Sequence, residues 1–176
     1  MNGATDTPKI TSLADLFAVA YRIEADAVER YELLADQMET HNNPELVAVF
    51  RDLCRAEKIH RDEIQRLAGD IDVVTHARQL PCWGRGDSPE EVDLGAAHYM
   101  MTPWHALQMA LEGEKRALDF FTSVMETAKD SQVKKLAEEF AEEEAEHVNL
   151  VHRLLRRYPQ PAASWSSDPD PPIAQE

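Results

Sequence analysis

A chain of 176 residues, 43% of them hydrophobic, is long enough to bury one well-formed core. Its formal net charge of −15 argues against binding to nucleic acid or to an anionic membrane surface, because both need clustered Lys and Arg. Cys54 and Cys82 form no CxxC pair, so no zinc ribbon or rubredoxin-type iron centre is encoded in this sequence. The sequence shows no membrane-spanning apolar run and its first residues do not resemble a signal peptide, so we expect a cytoplasmic protein.

Four long helices are predicted from apolar residues that recur at steps of three and four positions. In the second helix, this apolar stripe is expected to end with Ile64 and Leu67. These segments are rich in good helix formers, and strands are poorly supported. Capping residues precede each helix, and Gly69 ends the second one. The helices are expected at about residues 13–39, 44–68, 103–129 and 131–157.

A single bundle domain is predicted at residues 11–158. Its second and third helices are joined by residues 69–101, where Pro and Gly interrupt any long helix. A crossover along the length of a bundle explains so long a connection, and we expect short helical pieces within it, one near 89–99. We expect residues 1–10 to form a flexible arm and residues 159–176, which are rich in Pro, Ser and Asp, to form a flexible tail.

The two halves of the chain repeat each other in caps, apolar residues and buried-register polar residues. A shift of 90 residues superimposes the first helix on the third, and a shift of 87 superimposes the second on the fourth. The repeat predicts an all-α four-helix bundle made of two repeated helix hairpins joined by the long crossover. The matched polar and aromatic pairs are Glu24 with Glu114, Tyr31 with Phe121, Glu57 with Glu144, and His60 with His147.

Six polar residues occupy core positions in this pattern, and we interpret them as metal ligands. A Glu and a His three residues apart share one helix face, and buried charges are rare unless they are paired or bound to metal. Four carboxylates and two neutral imidazoles carry −4, which two divalent ions would cancel. Such ligands suit two iron ions, with manganese or mixed metals as alternatives. The six residues are Glu24, Glu57, His60, Glu114, Glu144 and His147.

A solvated helix face is the competing explanation, and it is strongest for the fourth helix, where Glu is abundant. Register argues against it for two residues. Glu144 and His147 continue the apolar stripe of Phe140 and Val151, whereas the neighbouring Glu residues do not. The metal interpretation therefore rests on the position of these residues in the helix and not on the Glu content alone.

Tyr31 is a candidate catalytic residue, because it lies two helical turns from Glu24 on the same face. It would donate a hydrogen bond to a ligand carboxylate or act as a one-electron donor. An ordinary core aromatic is the alternative. The matched residue Phe121 cannot form a hydrogen bond, so any such role is confined to one half of the bundle.

With these residues in place, the chain resembles the ferritin-like superfamily and, within it, the rubrerythrin-like proteins. The resemblance implies a four-helix bundle with a non-haem di-iron centre that reacts with O₂ or peroxide. It extends over about residues 13–157 and includes the stretches IEADAVERYELLA and ALEGEKRALDFF. It is carried by Glu24 with Tyr31 seven residues later, by Glu57-x-x-His60, and by Glu114 with Glu144-x-x-His147.

Two departures from that family are visible. Rubrerythrins proper carry an additional Glu ligand one turn after the Glu of the third helix, and here that position is Ala117. They usually carry a rubredoxin domain, and here the tail has no cysteine. The resemblance therefore implies a rubrerythrin-like di-iron protein without a rubredoxin domain.

The expected function is that of an oxidoreductase, either a ferroxidase or a rubrerythrin-like peroxidase. It would oxidise Fe(II) and/or reduce O₂ or hydrogen peroxide, with an external electron donor in the peroxidase case. Glu57 and Glu144 are expected to bridge the metals, Glu24 and Glu114 to be terminal ligands, and each histidine to bind one metal.

Other functions on the same scaffold stay open. They are iron binding and storage, a di-iron oxygenase, a manganese catalase, and a metal-free structural bundle. We expect a homodimer with neither nucleic acid nor membrane as a partner.

Overall fold

The computed structural model describes residues 9–80 and 102–162. These residues are all-α, which confirms the predicted fold class. The predicted helical piece near 89–99, Cys82 and most of the predicted arm and tail lie outside the described ranges. The helices are α1 (Leu13–Thr40), α2 (Pro44–Ala68), α3 (Val73–Gln79), α4 (Pro103–Thr127) and α5 (Ser131–Leu155).

The helix ends follow from local side chains, as the sequence indicates. Ser12 and Asn43 accept hydrogen bonds from backbone N–H groups in the first turns of α1 and α2. Asp130 does the same at the start of α5. Gly69 ends α2 at a φ of 61°, a left-handed conformation that glycine adopts without strain. Helices α4 and α5 each end two residues earlier than predicted.

The bundle consists of two helix hairpins. Helix α1 packs mainly against α2, and α4 packs mainly against α5, while the short α3 packs against α1. Helix α1 also contacts α4 and α5 and so joins the hairpins. This is the arrangement expected from the repeat, with α3 as one of the short helical pieces expected between residues 69 and 101.

The apolar core forms two separate clusters along the bundle. The first cluster contains Ile23 and Phe121, and the second contains Leu34 and Phe50. Every long helix contributes to both clusters and changes from one to the other near its middle. Between the two clusters lie Glu24 on α1, Glu57 and His60 on α2, Glu114 on α4, and Glu144 and His147 on α5.

One predicted core position on α2 is wrong. Leu67 was expected to continue the apolar stripe after Ile64, but its side chain is 48% exposed. Ala68, four residues after Ile64, is buried in its place. At 3.6 residues per turn the buried face drifts, and in the last turn the step of four points inward while the step of three points to solvent.

Candidate metal centre

Four carboxylates are buried together in the middle of the bundle. Their exposed fractions are 4% for Glu24, 1% for Glu57, 2% for Glu114 and 4% for Glu144. Each comes from a different long helix. Ionised groups rarely lose this much solvent contact unless opposite charges or metal ions compensate them.

Two histidines accompany these carboxylates, one from each hairpin. The rings of His60 and His147 are stacked, with centroids 5.1 Å apart and planes 11° from parallel. The His60 side chain is 24% exposed and the His147 side chain 12% exposed. The site therefore has a partly open side at the histidines, whereas its carboxylates are enclosed.

Glu57 lies between the two histidines. Its Oε2 atom is 3.5 Å from Nδ1 of His60, and its Oε1 atom is 3.4 Å from Nδ1 of His147. Each oxygen of one carboxylate thus faces a different imidazole. A carboxylate in that position has the right placement to be shared by two ions.

His147 is close to carboxylates from three helices. Besides Glu57, its Nδ1 atom lies 3.3 Å from Oε2 of Glu114 and 3.8 Å from Oε2 of Glu144. Two groups of potential ligand atoms result, both of which include His147. The first group is Glu57, His60 and His147, and the second is Glu114, Glu144 and His147.

Glu24 belongs to neither of these groups, although it shares the same buried region. Burial raises the pKa of Glu24 well above its usual value, and the negative charges of Glu57, Glu144 and Glu114 raise it further. Burial and the charges of Glu114 and Glu57 likewise raise the pKa of Glu144. Without a cation, these two carboxyls therefore favour their protonated forms at neutral pH.

Two further groups of the site, Glu114 and His147, have pKa values that favour their charged forms. Burial raises the pKa of Glu114, but its contacts with His147 and the charge of Arg30 lower it to about 2. Burial lowers the pKa of His147, but its contacts with Glu114 and Glu57 raise it to about 9. In the metal-free protein, a protonated His147 thus compensates part of the carboxylate charge.

Arg30 also belongs to the candidate metal centre, although it was not predicted from the sequence. Its side chain is buried, and Nη2 lies 3.0 Å from Oε1 of Glu114. Tyr31 is fully buried and donates its hydroxyl hydrogen bond to the same oxygen of Glu114. Both residues are on α1, so the first hairpin holds a carboxylate of the second.

Helical register is the signal that could have identified Arg30. It continues the row of Ile23, Ala27 and Leu34 at steps of four and three, and all three are buried. An Arg in such a row is a buried cation, for which a carboxylate partner should be sought. Its presence also changes the expected charge of the site from −4 to −3 when both histidines are neutral.

The chemistry of these groups fits a pair of divalent metal ions. Buried polar atoms normally have hydrogen-bond partners, yet Oε2 of Glu24, Oε1 of Glu57 and Nδ1 of both His60 and His147 have none among the described residues. These atoms are carboxylate oxygens and ring nitrogens, which are the donors that iron and manganese accept. An ion among them would satisfy the atoms and compensate the charge.

A helical bundle with this carboxylate and histidine set defines a ferritin-like protein with a potential metal centre. The sequence model of the family described as Rubrerythrin matches residues 15–81 and 105–165. The match spans most of the chain and includes all six predicted ligands. The chain belongs to the rubrerythrin family.

A solved structure supports the fold. The chain is similar to an uncharacterized conserved protein from Magnetospirillum magnetotacticum MS-1, with 35% sequence identity and a TM-score of 0.69. The similarity covers 86% of this chain and 98% of that one. No match was found among curated proteins. No helix within the described ranges is both long and apolar enough to cross a membrane.

Proposed function

We propose that this protein is a non-haem di-iron carboxylate protein that oxidises Fe(II) and reduces O₂ or hydrogen peroxide. The observation that carries the proposal is the burial of four Glu beside two stacked, partly exposed His at the level where both apolar clusters stop. Membership of the rubrerythrin family supports iron as the metal.

The proposed roles of the ligands follow their positions. Glu57 is the first candidate for a bridging ligand because its two oxygens face different histidines. By the repeat, Glu144 is its counterpart, and we propose it as the second bridge. Glu24 and Glu114 are the proposed terminal carboxylates.

The residues around the proposed metal position control access and orientation. Tyr31 and Arg30 both contact Oε1 of Glu114 and so fix the direction of its other oxygen. The apolar clusters on either side exclude water along the bundle axis. The His60 side chain is 24% exposed, and we propose that a small oxidant reaches the site from this side.

When iron is bound, two Fe(II) ions would supply two electrons, and hydrogen peroxide would take them up with two protons to form two water molecules. The bound ions would also neutralise the charge that raises the pKa of Glu24 and Glu144. Burial keeps the hydroxyl of Tyr31 protonated by raising its pKa well above its usual value, and the charge of Glu114 adds to this. Tyr31 is thus a stable hydrogen-bond donor to Glu114, and we propose one-electron donation as its further role.

Ala117 bears on the choice between oxidants. It is fully buried in the first apolar cluster, where rubrerythrins proper carry an additional Glu ligand. The proposed site therefore has one carboxylate fewer than a rubrerythrin peroxidase. Both O₂ and hydrogen peroxide remain candidate oxidants, and the electron donor for repeated peroxide reduction would be external.

The test is anaerobic loading with Fe(II), removal of unbound iron, and mixing with O₂ or hydrogen peroxide in a stopped-flow instrument. We expect about two irons per chain and rapid formation of Fe(III) absorbance, as in other di-iron bundles. The oxidant that reacts faster distinguishes an oxidase from a peroxidase. Glu57→Ala and His147→Ala should lower iron binding and abolish the rapid phase.

Matched controls lie on the same helices. Glu112 is exposed on α4 two residues from Glu114, and His152 is exposed on α5 five residues from His147. Glu112→Gln and His152→Ala should retain both irons and the rapid phase. Loss of activity in these controls to the same degree as in Glu114→Gln and His147→Ala would contradict the proposed site.

The assembly and location remain predictions. A homodimer is tested by light scattering on the purified protein, and a large closed shell would favour iron storage. The domain limits of 11–158 are tested by limited proteolysis. A cytoplasmic location is tested by cell fractionation.

A further inference from the structure

The two halves of the metal centre differ in charge, because a buried cation is present on one side. Arg30 is 3% exposed, and its Nη2 atom is 3.0 Å from Oε1 of Glu114. The pair is also linked to Tyr31, whose ring lies 4.6 Å from the Arg30 guanidinium carbon. Glu114 is therefore neutralised by a protein cation before any metal binds.

The repeat supplies no equivalent cation for Glu24. A shift of 90 residues places Arg30 on Phe120 and Tyr31 on Phe121, and both phenylalanines are buried. Neither can carry a charge or donate a strong hydrogen bond. Within residues 9–80 and 102–162, Oε2 of Glu24 has no hydrogen-bond partner, whereas Oε1 of Glu114 has two.

The charge available to a divalent ion therefore differs between the two positions. With the two proposed bridging carboxylates, Glu57 and Glu144, shared equally between the positions, Glu24 completes a charge of −2 beside the neutral imidazole of His60. Glu114 completes a charge of −2 at the other position in the same way, but Arg30 reduces that to −1. In a buried site, a divalent ion is held best where its charge is fully compensated, so the position beside Arg30 should bind its ion less tightly.

We propose that Arg30 makes the two metal positions unequal, so that a divalent ion fills the Glu24 and His60 position first and the Glu114 and His147 position second. This inference rests on the proposed two-metal function. Arg30 acts through Glu114 and is a positioning residue. It fixes Oε1 of Glu114 and leaves Oε2, which lies 3.3 Å from His147, to face an ion.

The test is an anaerobic titration of the metal-free protein with Co²⁺, followed by visible absorption and calorimetry. In the native protein we expect two binding steps whose dissociation constants differ by at least about tenfold. In Arg30→Gln the second step should tighten by at least about tenfold, and the first should change by less than about threefold. The spectrum of the second Co²⁺ should change, while that of the first should not.

Two variants separate the charge of Arg30 from its structural role. Arg30→Lys keeps the positive charge and should keep the two steps apart. Arg22→Gln removes the same charge from the same helix, at a residue that pairs with Asp26 outside the metal centre. It should leave both steps unchanged. If Arg30→Gln weakened the second step, or shifted both steps equally, the inference would be overturned.

The order of filling can be tested without changing Arg30, which keeps the inference testable if Arg30→Gln does not fold. His147→Gln should remove the weaker step and retain the tighter one, and His60→Gln should remove the tighter step. The reverse assignment would contradict the inference while leaving a two-metal centre intact. Binding of no Co²⁺ by the native protein would instead overturn the proposed function itself and this inference with it.

Discussion

The stability of the metal-free protein should fall as the pH rises from 6.5 to 9, and His147 is one cause of this fall. The surrounding carboxylates raise the folded-state pKa of His147 from 6.5 to about 9. A histidine with a raised folded-state pKa stabilises the fold fully below its unfolded-state pKa. That contribution is lost as the pH rises through its folded-state pKa.

The size of this effect follows from the shift. At ~1.4 kcal/mol per pKa unit, the shift of His147 corresponds to about 3 kcal/mol of unfolding free energy between pH 6.5 and 9. Glu24 and Glu144 also lower the unfolding free energy as the pH rises. Their pKa values are raised in the folded protein, so their ionisation costs more free energy there than in the unfolded chain. Glu114 contributes little in this window, since its lowered pKa affects stability only in acid.

Urea unfolding followed by circular dichroism is the appropriate assay, with a chelator present and the pH set between 6.5 and 9. In thermal melts, a loss of about 3 kcal/mol should lower Tm by ~10 °C for a chain of this size. His147→Gln should reduce the pH dependence and leave the part due to Glu24 and Glu144, whereas His152→Gln on the exposed face of α5 should retain all of it. Protein loaded with metal should also lose the dependence, because its carboxylates stay ionised and its imidazoles neutral.

A metal-free protein whose stability is constant or rises between pH 6.5 and 9 would refute this reasoning. It would mean that His147 is not held as a cation among the carboxylates. An unchanged pH dependence in His147→Gln would place the cause elsewhere in the chain.

Three further predictions concern single side chains. Tyr31→Phe should lower the unfolding free energy by about 1–3 kcal/mol in urea titrations, because Glu114 loses a buried hydrogen bond; an unchanged midpoint would show that this bond has no net effect. Phe121→Ala should cost about 3–5 kcal/mol in the same assay, because the ring is 1% exposed in the first apolar cluster. A loss below 1 kcal/mol would contradict that packing. Leu67→Gln should change stability by less than about 0.5 kcal/mol, because Leu67 is 48% exposed, and a larger loss would show that it is covered in solution.

The fold could be predicted from the sequence because helical periodicity, caps and the repeat all indicate the same bundle. Ser12, Asn43 and Asp130 are local signals, and each caps the helix that was predicted to start there. Leu67 shows where prediction of the buried face from an apolar stripe fails. A stripe of apolar residues fixes the buried face of a helix, but the packing partner decides where that face ends.

The candidate site was predictable in composition and not in its internal contacts. Burial of Glu57 follows from its register, but the placement of its two oxygens toward different histidines depends on how two hairpins pack. The ion pair between Arg30 and Glu114 joins residues 84 positions apart, a separation at which no local pattern operates. That pair changes the charge of the site, so the charge balance inferred from the sequence was incomplete.

The proposed di-iron centre can be tested by measuring the metal content of the native protein and of Glu57→Ala after anaerobic loading with Fe(II). We expect about two irons per chain in the native protein, as for a paired carboxylate site. In Glu57→Ala we expect the loss of at least one iron and the absence of rapid oxidation. The proposed metal centre would be contradicted if the native protein bound no stoichiometric metal. It would also be contradicted if Glu57→Ala kept both irons and the rapid oxidation.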